Sequence, residues 1–357
     1  IKGNLSDGLS KALDTTSKVE KAVETTNPEA YEFYLKAKHK YEKRENTEDT
    51  ELARGLLQKA LELDDNLILA KGYLAWIYHM SGDNDKAMSI YTTVLKQAER
   101  LNDKYGIGVC LNGIAVVYHS SGNLDKALEY HTRSLNLREE IGDKHGIAGS
   151  IGNIGNVYAD KYNYDKSLDY WKRSLKLKEE VDFKIGIGNT LNNIGYYYFH
   201  IGEYDRALDY HNRALNVRRE CNHKLGIGWS IRNIGFMYYY KEDYDKAEDY
   251  LEKSLSIQKE LGIEHFPIFM ITTYLCLIYR TLGKSYDLEA LHRLIKEQEN
   301  IEFEFNYCLY QLLEEKSYLQ TAYDQIQELA DNLEPDVKLK FLSYPIPKAI
   351  VEEWEKV

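Results

Sequence analysis

Residues 146–180, GIAGSIGNIGNVYADKYNYDKSLDYWKRSLKLKEE, carry a pattern that returns on either side of them at one fixed interval. Gly106, Gly146, Gly186 and Gly226 are each followed by Ile and stand 40 residues apart. The same ladder holds Ile114, Ile154, Ile194 and Ile234, then Tyr118, Tyr158, Tyr198 and Tyr238, then Asp125, Asp165, Asp205 and Asp245. Tyr130, Tyr170, Tyr210 and Tyr250 keep it, as do Leu135, Leu175, Leu215 and Leu255. A fixed period of roughly 20 to 50 residues marks a solenoid, whose units are too small to bury an apolar face alone and must stack on their neighbours.

Inside the unit, Ile151, Ile154, Gly155 and Tyr158 fall at i, i+3, i+4 and i+7, as do Leu191, Ile194, Gly195 and Tyr198, which is one face of a helix. A glycine in a helix interior costs about 0.5 to 1 kcal/mol relative to alanine, yet Gly155, Gly195 and Gly235 recur in one slot. Close approach of a second helix, with no room for a Cβ, is the expected compensation. That helix is predicted to offer Ala127, Ser167, Ala207 and Ala247, then the Leu135 row. Turns are legible as Gly142-Asp143-Lys144 between pairs and as Gly122-Asn123-Leu124-Asp125 or Gly202-Glu203-Tyr204-Asp205 within them, where the Asp is expected to cap the second helix.

Working outward, units are predicted at 66–98, 106–140, 146–180, 186–220 and 226–260, and no proline interrupts the chain between Pro28 and Pro267. Asn27-Pro28 opens a divergent pair, Pro28 to Arg44 and Asp49 to Leu63. Looser pairs come next at Ile268 to Leu282 with Tyr286 to Gln298, and at Glu302 to Glu315 with Tyr318 to Leu333. Pro335, Pro345 and Pro347 then punctuate two short terminal helices, the last at Lys348 to Lys356. The expected organisation is a lead-in helix or linker over 1–27, with Leu5 to Val23 amphipathic, a repeat array over 28–333, and capping helices over 334–357. The fold class is all-α: a right-handed superhelical solenoid of antiparallel helix pairs, about seven to eight of them.

A net charge of −11, from 46 basic and 57 acidic residues, argues against nucleic acid or an anionic membrane as partner, since both are bound through positive fields. Cys110, Cys221, Cys276 and Cys308 form no CxxC and no close pair, so neither a zinc site nor a disulfide framework is expected, and the compartment is read as reducing and cytoplasmic. No apolar run approaches the roughly 20 residues that span a bilayer. The start at Ile1 rather than Met reads as a piece of a longer protein or a processed form. No cofactor, metal or nucleophile–base constellation is expected.

Ile154, Gly155, Tyr158, Ser167 and Ser174, and again Ile194, Gly195, Tyr198, Ala207 and Ala214, resemble the tetratricopeptide repeat. The 40-residue form, NIG-x-x-Y followed by YDKAL-x-Y, is similar to the repeats of kinesin light chain and of the Partner-of-Inscuteable type of adaptor. The match is strong over 66–260 and weak over 28–65 and 264–333. It departs from the family in lacking the proline that often ends a unit. NPEAYEFYLKAKHKYEKR near the start and FLSYPIPKAIVEEWEKV at the end resemble the flanks of repeat regions that follow a catalytic domain in bacterial adenylate/guanylate cyclases.

The resemblance implies that the non-packing face of each first helix lines a concave surface. Here that face offers Asn112 and His119; Asn153 and Asn156; Asn189, Asn192, Asn193, Tyr196 and His200; and Trp229, Arg232, Asn233, Phe236, Tyr239 and Tyr240. Asn pairs with both donors and acceptors of an extended backbone, and Trp and Tyr give apolar anchorage. The plain alternative is that these side chains satisfy neighbouring helices. The GxG triplets at Gly106, Gly186 and Gly226 follow no strand and precede no Walker lysine, so phosphate binding is disfavoured. His131 and His211 read as packing residues, and Arg133, Arg173 and Arg213 as a solvated row pairing with nearby acids. The expected function is a noncatalytic scaffold that holds a peptide or protein segment, as the regulatory part of a signalling protein. A sensor controlling an upstream catalytic domain of the same chain and a self-assembling array are the alternatives.

Overall fold

The computed structural model of the protein describes residues 27–42, 44, 47–262 and 266–357. The proposed lead-in helix at Leu5 to Val23 lies outside them. Among the described residues there is no strand, and eighteen helices succeed one another in packed pairs, an all-α solenoid. Contacts divide the chain into two units. The first holds the described residues up to Val157 together with Asp169–Phe183, and the second holds Tyr158–Leu168 and Lys184–Val357. The first contains α1 (Pro28–Glu42), α2 (Thr47–Leu63), α3 (Ile68–Met80), α4 (Asn84–Leu101), α5 (Lys104–Ser120) and α6 (Leu124–Ile141), and shares α7 (Lys144–Asp160) and α8 (Tyr164–Glu180) with the second. The second continues with α9 (Lys184–His200), α10 (Tyr204–Glu220), α11 (Lys224–Tyr240), α12 (Tyr244–Glu260), α13 (Phe266–Thr281), α14 (Leu288–Lys296), α15 (Phe303–Leu313), α16 (Lys316–Asp331), α17 (Pro335–Ser343) and α18 (Pro345–Trp354).

Within each pair the recurrent glycine does what its cost implied. A Cβ on Gly155 would stand 2.6 Å from the Trp171 ring, one on Gly195 2.6 Å from His211, and one on Gly235 2.8 Å from Leu251. The facing residue differs from the one the sequence led us to expect: Ser167, Ala207 and Ala247 are fully buried, but the side chain nearest the glycine comes from one helical turn further on. A second tie repeats beside it. Ser134 donates to the Gly108 carbonyl at 2.9 Å, Ser174 to that of Ala148 at 2.7 Å, and Ser254 to that of Gly228 at 2.9 Å. Each is a buried hydroxyl satisfied by a carbonyl's second lone pair.

Four residues beyond Ser134, Ser174 and Ala214 lies a row of inward cations, the half-buried Arg138 and the buried Lys178 and Arg218. The GxG triplets make room for its arginines: a Cβ on Gly188 would meet the Arg218 stem at 3.0 Å, one on Gly226 the same side chain at 2.8 Å, and one on Gly108 that of Arg138 at 3.4 Å. Arg218 donates to the Gly226 carbonyl at 2.9 Å, to Ser230 Oγ at 2.7 Å and to Asn189 Oδ1 at 2.8 Å. Burial lowers its guanidinium to about 10 and the Lys178 ammonium to about 8. Arg138 is lowered by burial and partly restored by Asp143, 3.8 Å away.

Helix starts differ from expectation in one respect. The caps are Asp83, Asn123 and Asp243, each accepting from the backbone N–H three residues on, at Lys86, Lys126 and Lys246. The Asp125 row lies two positions later, inside the first turn, where a carboxylate favours the helix dipole without capping. The outer Arg133, Arg173 and Arg213 reach Glu129, Asp169 and Asp209 at 3.7 to 4.0 Å and lie over the rings of Tyr130, Tyr170 and Tyr210. At the tight turn within each pair the backbone is left-handed. Glycine fills that slot at Gly82, Gly122 and Gly202, whereas Tyr162 (φ 56°) and Glu242 (φ 60°) occupy it without a glycine's freedom. A non-glycine residue there costs on the order of 1 kcal/mol or more.

The end of the second unit returns to its beginning. Pro335 and Pro345 open α17 and α18 at first-turn positions where their missing N–H groups cost nothing. Phe341 is 1% exposed, with its ring 4.7 Å from Tyr162 and 6.1 Å from Phe303. Tyr344 lies 5.3 Å from Tyr164, Lys340 pairs with Asp165, and Pro345 packs where a Cβ on Gly202 would reach. On α15, Glu304 accepts from the Tyr274 hydroxyl at 2.9 Å and the Tyr240 hydroxyl at 3.4 Å, and no cation pairs with it among the described residues. Burial pushes the Glu304 carboxyl up to about 7.

The glycine slots yield opposite outcomes for one chemical change. Gly149→Ala, where a Cβ would meet nothing within 4 Å, is expected to stabilise by about 0.5 to 1 kcal/mol. Gly155→Ala, forced against the Trp171 ring, is expected to destabilise by about 1 to 3 kcal/mol; denaturant midpoints of the two variants decide it. Glu304 gives a second test. Its folded value lies above its unfolded one, so the folded state binds the proton more tightly, and stability falls as pH rises from about 4.5 towards 7. Glu304→Gln should remove that slope, and a thermal midpoint that falls equally in both proteins over this window would contradict the assignment.

Candidate functional site

In the first unit the expected groove residues are largely turned to neighbouring helices. Asn112 Oδ1 accepts from Asn153 Nδ2 at 3.0 Å and lies 3.1 Å from His131 Nδ1. Burial drives the His131 imidazole down to about 3, so it is neutral at physiological pH and the bond to Asn112 places its proton on Nδ1. Asn156 Oδ1 accepts from the Trp171 indole at 2.8 Å. His119 is half-buried in the last turn of α5. The expectation that His131 packs rather than ligates agrees with this geometry.

The second unit repeats one of these arrangements and adds an unsatisfied cation. Asn192 Oδ1 accepts from Asn233 Nδ2 at 3.0 Å and lies 3.1 Å from His211 Nδ1, and Asn189 holds Arg218. Asn189 remains exposed all the same, and Asn193 is half-buried three residues before Tyr196, whose ring is 44% exposed. His200 lies 4.0 Å from the Tyr196 ring and stacks on Tyr164 at 4.9 Å. On α11, Trp229 is half-buried with the Arg218 guanidinium 5.9 Å from its ring. Phe236 packs 4.4 Å from Tyr274, Tyr239 4.9 Å from Tyr274, and Tyr240 stacks 5.3 Å from Tyr204. These three serve the packing of α11 on its neighbours.

Arg232 stands apart. Its Nε donates to Asn233 Oδ1 at 3.3 Å and its guanidinium lies 5.9 Å from the Phe236 ring, while no carboxylate pairs with it among the described residues. Burial lowers it to about 10, and it in turn bears on Arg218. A half-buried cation without a counter-charge leaves its field unpaired, and an anionic group brought to it would be favoured. Eight residues along the same helix, a distance of about 12 Å at the helical rise, Tyr240 meets Glu304, beside which Glu302 is exposed and likewise without a paired cation among the described residues. The face thus offers opposite charges at its two ends with tyrosines between.

The inward arginines Arg138 and Arg218 and the carboxylates Glu302 and Glu304 were not among the sequence candidates. A signal for the first pair exists: Arg138, Lys178 and Arg218 fall one turn after Ser134, Ser174 and Ala214, on the inward face. Glu304 carries none, because it acquires its partners from helices 30 and 64 residues away. Among the described residues no group of three or more His, Cys, Asp or Glu side chains is placed to hold a metal, and no helix is long and apolar enough to cross a membrane. The four cysteines are free thiols, three of them buried.

Among solved structures, a Rap protein complexed with competence and sporulation factor is similar at 16% identity with a TM-score of 0.60, over 99% of this chain and 92% of that one. The apo form of RapI gives 16% and 0.55 over 95% and 99%. A signal-transduction ATPase with a tetratricopeptide repeat sensor, from Pyrococcus horikoshii, gives 18% and 0.55 over 94% of this chain, which spans 56% of that protein. At these identities the likeness is one of fold. A search of curated protein sequences finds no match. The tetratricopeptide repeat model matches residues 66–140, 146–220 and 186–260. With 40-residue helix pairs, the glycine slot and more than half of its length matched, this chain belongs to the tetratricopeptide repeat family.

Proposed function

We propose that the inner face of the second unit holds an extended peptide or protein segment, and that the chain works as a noncatalytic regulatory scaffold in cytoplasmic signalling. Repeats of this family are generally interaction modules without enzymatic activity. The observation that carries the reading is Arg232, half-buried without a paired carboxylate among the described residues, on the helix that also carries the half-buried Trp229. The favoured ligand is an extended segment with a carboxylate side chain opposite Arg232 and a basic one opposite Glu302 and Glu304. A separation of about 12 Å is spanned by three to four extended residues. Asn193 and Trp229 would flank the backbone between them.

The fold likeness to a Rap protein complexed with competence and sporulation factor supports a signalling factor as the occupant. The likeness to a signal-transduction ATPase with a repeat sensor supports a second form of the same reading, in which the array senses a small molecule or peptide for a catalytic domain elsewhere in a longer chain.

A displayed library of random peptides, selected on the intact chain, tests the site directly. Enriched peptides should bind the Arg232→Gln variant at least about tenfold more weakly, a loss of about 1.4 kcal/mol, with its thermal midpoint unchanged. Enrichment no greater than on an unrelated protein, or equal retention by Arg232→Gln, would defeat the proposal.

A further inference from the structure

The tight turn at residue 162 departs from its own repeat at the point where the chain's end returns to it. The equivalent position is glycine at Gly82, Gly122 and Gly202, and the backbone is left-handed there in every case. Tyr162 adopts the same conformation, φ 56°, with a bulky side chain for which it is an outlier. Glu242 shares the conformation, but what distinguishes Tyr162 is its ring, 4.7 Å from Phe341 of α17. The strain therefore coincides with the docking of a segment 179 positions later in the chain.

That segment reaches the inner face. Tyr344, the single extended residue joining α17 to α18, lies 5.3 Å from Tyr164. Tyr164 stacks 4.9 Å from His200, and His200 lies 4.0 Å from Tyr196. Lys340 with Asp165 and Pro345 against Gly202 complete the seam. The seam is not sealed: a polar cleft lined by Tyr162, Asn163, Asp165, Asp336, Lys340 and Tyr344 runs along it. The opposite side of α17 leaves Leu339 73% exposed, and α17 is held by Phe341, Val337, the pairing of Lys338 with Asp331 and the joint at Tyr344, whereas α18 is held separately, with Ile350 buried and Trp354 5.2 Å from Tyr323.

We propose that α17 forms a latch, pinned by Tyr162 and Phe341 and hinged at Pro335 and Pro345, whose opening exposes the His200 end of the inner face. It regulates access to the proposed peptide site and rests on that reading for its purpose, although its motion is measurable without any ligand. Left-handed tyrosine is tolerated at the turn because its ring supplies the docking surface that a glycine cannot.

The test uses the full chain and the variants Tyr162→Gly and Phe341→Ala. Hydrogen exchange reads the latch, and the rate of diethylpyrocarbonate modification of His200 reads access, with the exposed His292 as internal reference. The His200 imidazole is held neutral by burial, the form that reacts, and its Nε2 is sealed from solvent. In both variants exchange over 338–344 should rise at least tenfold and His200 modification severalfold, while α9 to α12 exchange as in the parent. Faster exchange at 338–344 with unchanged His200 reactivity would make the segment a plain end cap, and unchanged exchange would remove Tyr162 as its pin. Exchange rising throughout α9 to α12 would make it part of the core, overturning the latch. None of these readouts depends on peptide binding, so a failed peptide selection would count against the site and not against the latch.

Discussion

The close approach of paired helices in this protein rests on a small residue in one slot, glycine in three pairs and Ala75 or Ala115 in the two before them. Gly155, Gly195 and Gly235 let a helix-two side chain lie against helix-one backbone, and the backbones come close enough for serine hydroxyls to reach carbonyls across the pair. Alanine holds the slot at Ala115, where His131 and Ser134 keep their bonds at 3.1 and 2.9 Å; at Gly155, an added Cβ would stand 2.6 Å from the Trp171 ring. Glycine's propensity cost is thus offset by buried area and by hydrogen bonds that satisfy polar groups in the interior.

Charge inside the units is shaped by the same approach. An acidic protein keeps Arg218 buried and Arg232 half-buried with no paired acid among the described residues, using a carbonyl, Ser230 and asparagine oxygens as acceptors. Neutral acceptors satisfy donors but do not cancel charge, so the field of these guanidinium groups remains directed at whatever approaches the inner face. At the opposite end Glu304 is held by phenols alone, with the reverse sign.

Period, helix pairs, the glycine slot and the two terminal helices were legible because each is a local pattern: periodicity of 3.6, a recurrent glycine, a proline at a first turn. The bonding of the asparagines was not. Asn153 and Asn233 present the same residue in the same slot whether they face a ligand or Asn112 and Asn192, and only the neighbouring helix distinguishes the two. Capping was misplaced by two residues, since Asp83 and Asn123 compete with Asp85 and Asp125 for one role and the tight turn favours the earlier. Tyr162 could have been noticed as the break in a glycine column, but its partner at Phe341 lies far beyond any local pattern.

The contacts within each pair also differ in a way that bears on assembly. His131 is matched to Asn112 and His211 to Asn192, while Trp171 is matched to Asn156 and Leu251 lies against Gly235. Tandem units of near-identical sequence are prone to docking a second helix on the wrong first helix as they fold. Here a mispaired indole or imidazole would lose its own acceptor and leave a buried donor bare. Adjacent hairpins therefore carry different keys, the His–Asn pair recurring only two units apart, and docking on the next hairpin in line is penalised.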